Sequence, residues 1–118
     1  MIKIYHKPNC ATSLEAFRLL KKNTKEKIEV IEYLVNTPTA KELNEILKML
    51  GMKAHDFLRK KEPLYKEKFA GKKLTESQWI KVMIENPILI ERPVIVKDGK
   101  AIIARPPEMV VEFMRNIK

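Results

Sequence analysis

The stretch HKPNCATS, residues 6–13, holds the chain's single cysteine, Cys10, between a Pro-bearing turn and the start of a helix. One thiol cannot close an internal disulfide, so it is either a small buried hydrophobe or a thiolate nucleophile. Its position separates the two. A core cysteine belongs on the apolar face of the helix, with Phe17 and Leu20. Cys10 falls instead at the first turn, where backbone N–H groups without helical partners favour an anion. Thr12 and Ser13 add hydroxyl donors, and His6 and Lys7 add basic groups nearby. Cys10 reads as a reactive thiolate.

Spacing then limits the type of thiolate chemistry. A C-x-x-C dithiol is absent, because Ser13 occupies the second position. A C-x5-R phosphatase loop fails, because Ala16 stands where the arginine belongs and Arg18 comes too late. A Cys-His pair of the protease type needs a histidine placed as base, but His6 shares the cysteine's own turn and His55 lies in a distant helical region. The thiolate is expected to work without a dedicated base.

Arginines point to the substrate, since a planar fork of donors suits a tetrahedral oxyanion. Arg18 and Arg115 sit on helices among lysines and read as solvated surface. Arg59, Arg92 and Arg105 differ. Arg92 interrupts the apolar run ILIERPVIV just before a proline, and Arg105 follows the apolar strand AIIA; taken singly, each also fits a strand-end charge with no task.

Several elements must position these groups. MIKIY alternates as a strand, with Ile2 and Ile4 on one face, and leads into a turn at His6-Lys7-Pro8-Asn9. From Ala11 the period becomes helical for about four turns, with Leu14, Phe17 and Leu20 on one side. IEVIEYL, residues 28–34, is a second strand, expected to lie parallel to the first. Residues 39–87 read as an all-helical insert. Thr39 with Glu42 and Thr75 with Gln78 form capping boxes, Gly51 stops the first helix, and a shorter helix is expected around 53–60. PVIV and AIIA, joined by Lys97-Asp98-Gly99-Lys100, form a hairpin, and a last helix opens at Arg105-Pro106-Pro107-Glu108. Met109, Val110, Phe113 and Met114 supply that helix's buried face. A βαβ unit followed by ββα implies an α/β thioredoxin-like fold: one domain over 1–118, with a four-stranded mixed sheet interrupted by the insert.

Composition narrows the partners. The chain has 118 residues, 24 basic and 15 acidic, for a net charge of +9. The basic residues are scattered and aromatics are only 7%, which disfavours nucleic acid and leaves small anions or acidic partners. No run approaches the roughly 20 apolar residues of a membrane span, and no signal-peptide core is visible. A lone cysteine disfavours a secreted disulfide scaffold, so a cytoplasmic address is expected. The chain is further expected to be a monomer with no bound metal or cofactor.

HKPNCATS, LRKKEP at 58–63, ILIERPVIV at 88–96 and IARPPEMV at 103–110 together resemble, in order, the signature segments of the glutaredoxin-dependent arsenate reductases. The resemblance implies that Cys10 attacks arsenate and that Arg59, Arg92 and Arg105 hold the oxyanion. It implies that His6, four residues before the thiol, joins the Thr12 and Ser13 donors in supporting the thiolate by lowering its pKa, and that glutathione and glutaredoxin supply the electrons. The thioredoxin-like fold implies a cis bond at Pro93, opposite the thiol. The family commonly reads C-G-T-S-R-N after its nucleophile, where this chain has Ala11, Leu14 and Glu15 in place of the Gly, Arg and Asn. The same superfamily includes Spx-type regulators, which bind RNA polymerase and reduce nothing.

Overall fold

The computed structural model describes residues 2–116. Packing divides the chain into two compact units. One holds residues up to Asn36 together with those from Arg92 onward, and the other spans Thr37–Glu91.

The first unit is built on a four-stranded sheet in the order β2-β1-β3-β4. β1 (Ile2–His6) runs parallel to β2 (Ile28–Glu32) and antiparallel to β3 (Val94–Lys97), which pairs antiparallel with β4 (Lys100–Ile103). The parallel pair is joined through α1 (Ala11–Lys22), and α5 (Met109–Asn116) follows β4. This is the thioredoxin-like arrangement. Alternation along β1 turns Ile2 and Ile4 to one face, where they meet Ala16, Leu20, Ile95, Val110 and Met114 in a single apolar cluster. The β3–β4 turn places Asp98 at φ 51° and Gly99 at φ 75°, the paired positive angles of a two-residue hairpin turn.

The second unit contains α2 (Ala40–Leu50), α3 (Pro63–Lys68) and α4 (Glu76–Glu85), with short 3-10 turns at Ala54–Phe57 and Pro87–Leu89. Both capping boxes close. Thr39 Oγ1 accepts from Glu42 N at 3.2 Å, and Thr75 Oγ1 accepts from Gln78 N at 3.2 Å. In return, Glu42 and Gln78 accept the N–H groups of Thr39 and Thr75. Gly51, at φ 68°, ends α2 while Met52 N donates to Leu47 O at 3.0 Å, a Schellman closure. Among the described residues, no helix is long and apolar enough to cross a membrane.

Four local expectations need correction. β2 ends at Glu32 because the amides of Val35 and Asn36 both donate to the Glu32 carbonyl, closing a turn over Tyr33 and Leu34. The helix expected around 53–60 is only the 3-10 turn Ala54–Phe57, and a separate helix starts at Pro63. α5 begins at Met109: Met109, Val110 and Val111 donate to the carbonyls three residues back, a tight lead-in through two prolines that lack N–H donors. The buried faces of α1 and α5 also differ. Leu14 is 49% and Met109 41% exposed, while Ser13, Ala16 and Leu20 face the core from α1.

Candidate active site

β1 delivers a buried His6 to the edge of the core, and the chain then turns back on itself. Cys10 N donates to Lys7 O at 3.0 Å, with Pro8 and Asn9 at the two central positions. Proline's fixed φ suits the first of these. Cys10 is the N-cap of α1, with extended backbone at φ −107° and ψ 121°, and its carbonyl accepts from Leu14 N at 2.9 Å. A serine or aspartate would ordinarily fill this position and satisfy an early N–H with its side chain. Here the sulfur occupies it. No full cap hydrogen bond closes, yet the amides of Ser13 and Thr12 are near enough to favour the anion.

The thiol's ionisation follows from opposing influences. Burial pushes it up, but the Ser13 amide, hydrogen bonding and charge attraction from the Arg92 guanidinium, and the Thr12 amide outweigh burial and bring it to about 7. A sizeable fraction is therefore thiolate at neutral pH without any adjacent base.

Arg92 is 6% exposed, so its charge is held in a largely desolvated setting beside the sulfur. It precedes β3 through a cis Arg92–Pro93 bond, and a second cis bond joins Arg105 to Pro106. Arg105 Nη1 donates to the Arg92 carbonyl at 3.0 Å. Arg105 thus grips the backbone that carries Arg92.

His6 meets Ser13. Its Nδ1 is hydrogen-bonded to Ser13 Oγ at 2.6 Å, and that oxygen also accepts Lys7 N–H at 3.1 Å. Burial lowers the His6 pKa against the opposing pull of Glu32, its β2 partner in register. A lowered His6 pKa leaves little positive charge on the imidazole at neutral pH.

The first unit accordingly gathers Cys10, Thr12, Ser13, His6, Arg92, Pro93 and Arg105. Arg59 belongs to the second unit, where Glu62 holds its Nε at 3.2 Å and Glu91 its Nη1 at 3.3 Å. An antiparallel bridge between Leu58 and Ile90 brings Glu91 to it, and Arg59 N donates to Leu89 O at 2.8 Å.

Sequence reasoning missed three supporting contacts. Phe17 packs on His6 with ring centroids 5.3 Å apart, and Glu62 and Glu91 are the counter-charges of Arg59. The three-residue spacing of Arg59 and Glu62 is a readable signal. Glu91 lies too far along the chain to give one.

A thiolate at a helix start beside a buried guanidinium is equipped to attack an electrophilic oxyanion. Comparison with known proteins places the chain in a family. The model of the ArsC family matches residues 5–113. Escherichia coli K12 YfgD, an uncharacterized protein, is 47% identical over 115 residues, covering 96% of both chains. An Escherichia coli arsenate reductase is 34% identical over 116 residues, covering 98% of this chain and 82% of that one. The arsenate reductase structure from Vibrio cholerae is similar at a TM-score of 0.87 and 39% identity, over 94% of this chain and 95% of that one. A thiolate site on a thioredoxin-like sheet, matched along nearly the whole sequence, makes this chain a member of the ArsC family.

Proposed function

We propose that the protein reduces arsenate to arsenite, with Cys10 as nucleophile and glutathione and glutaredoxin as electron donors. The observation that carries this reading is the Cys10 thiol at about 7 beside the largely buried Arg92. The thiolate forms an S–As(V) bond as one As–O bond breaks, and the departing oxygen leaves as water after protonation. Arg92 and Arg105 neutralise the oxyanion's charge during the displacement. Two thiols, from glutathione and glutaredoxin, then give up two electrons and two protons and leave as a mixed disulfide. Arsenic takes the electrons, becomes As(III) and is released as arsenite, which restores Cys10. The chain's single cysteine suits this division, because the electrons come from thiols it does not own. Arg59 enters through the family resemblance, and an Arg59→Ala variant tests its part.

The direct experiment is arsenite production with glutathione and glutaredoxin, comparing the intact protein with Cys10→Ser. Activity that depends on Cys10 supports the reading. Equal, negligible activity in both proteins overturns it.

A second reading, a regulatory or binding protein without reductase activity, is favoured by one observation. The first turns of α1 carry Leu14, 49% exposed, and a Glu15 paired with Arg18, so an apolar side chain and an acidic one lie close after the thiol. Calorimetry separates the two readings. A reductase binds arsenate or sulfate and loses affinity in Arg92→Ala, whereas a regulator gives negligible heat in both.

A further inference from the structure

A cleft of about 690 Å³ opens in the second unit, and none of its lining residues belongs to the Cys10 site. Its floor is aromatic. Trp79 is 3% exposed, with its ring 4.8 Å from that of His55 and edge-on to Phe69 at 6.3 Å. His55 Nε2 is hydrogen-bonded to the Tyr65 hydroxyl at 2.9 Å, which fixes the imidazole in the wall. Its other ring nitrogen has no hydrogen-bond partner among the described residues.

The rim is cationic. Lys53, Lys72 and Lys73 all line the cleft, and among the described residues none of them forms an ion pair. Lys72 lies over the Phe69 ring, 5.8 Å from its centre. The one acidic lining residue, Glu76, accepts the Ala54 N–H at 2.9 Å, so its carboxylate ties two walls together.

Three lysines lining one cavity give it a positive field, and a counter-charge placed there lowers the electrostatic energy. The volume lies within the range of small-molecule sites, roughly 300–1,000 Å³. A bare inorganic anion would satisfy the lysines and leave the apolar lining, Leu74 and the edge of Trp79, uncovered. A neutral apolar molecule would cover that surface and leave the lysines uncompensated. Only a ligand with both characters answers the whole lining. We propose that this cleft binds a small organic anion, its apolar body against Trp79 and His55 and its carboxylate or phosphate groups at Lys53, Lys72 and Lys73.

Trp79 is the chain's one tryptophan, so its indole N–H gives a single resolved signal in a ¹⁵N-labelled sample. The intact protein is titrated with 2-naphthyl phosphate, with inorganic phosphate and with 2-naphthol. The expected result is a saturable shift of the indole signal by naphthyl phosphate, with affinity about tenfold or more above either fragment. A Lys72→Gln/Lys73→Gln variant, altered only at exposed positions, weakens that binding about tenfold with the rest of its spectrum unmoved. Cys10→Ser leaves it unchanged, which separates this cleft from the oxyanion site. An indole signal that does not move, an affinity indifferent to both lysines, or inorganic phosphate binding as tightly as its naphthyl ester would each overturn the proposal.

Discussion

Ser13 Oγ lies 2.6 Å from His6 Nδ1 and accepts the Lys7 amide as well, with both side chains buried. One hydroxyl thus satisfies the end of β1 and the first turn of α1, the two segments that frame Cys10. Ser13→Ala leaves a ring nitrogen and an amide without that partner, and about 1–3 kcal/mol of stability is expected to be lost. Urea denaturation measures it. The Cys10 pKa should move little, since the Ser13 backbone N–H survives the substitution.

The pH dependence of Cys10 is the most direct check on the site. Alkylation by iodoacetamide should follow a midpoint of about 7, where a free thiol titrates near ~8.5. Arg92→Gln removes the guanidinium and should raise that midpoint. A depressed folded-state pKa means that the native protein binds fewer protons than the unfolded chain between the two values. Stability from this group is therefore present above the free-thiol range and lost as pH falls through about 7. Cys10→Ser should flatten that part of the stability profile.

His6 follows the same sign in a lower window. Its folded pKa is lowered, so its contribution is in place above the ordinary histidine value of about 6.5 and declines as pH falls further. Thermal melts from pH 7 down to 5 should show a loss that a His6→Asn variant does not share.

Arg105 should behave as a positioning residue as well as a ligand, because Nη1 holds the Arg92 carbonyl. Arg105→Lys keeps a positive charge but loses the planar fork, and arsenate turnover should fall about tenfold or more. If Arg105 supplied only charge, the lysine variant would keep full activity. Comparing kcat and KM for the Lys and Ala variants distinguishes the two roles.

In the second unit, Thr75→Ala removes one half of the α4 capping box. About 1 kcal/mol of stability is expected to go with it, measured by chemical denaturation. Alkylation of Cys10 serves as the control and should be unchanged.

Features built from neighbouring residues are legible in the amino-acid sequence itself. The Asp98-Gly99 hairpin, both capping boxes, the Gly51 stop and the place of Cys10 at the start of α1 all depend on side chains within a few positions of one another. Local sterics and local hydrogen bonds determine such features, and sequence records them directly. The order of elements is enough to imply the mixed sheet. The cis Arg92–Pro93 bond is an expectation carried by the fold resemblance, not by the residues around it. What only the tertiary structure decides involves partners distant along the chain. Helical periodicity turns Leu14 inward, but the folded core receives Ser13, because His6 and Lys7 offer it hydrogen bonds across the turn. Strand character continues through Leu34, yet the Glu32 carbonyl collects the Val35 and Asn36 amides and ends β2 there. Arg59 is legible as a candidate, but its tie to Glu91 spans 32 positions and depends on the Leu58–Ile90 bridge. A sequence shows which groups are able to hydrogen-bond, and only the folded chain settles which of them meet.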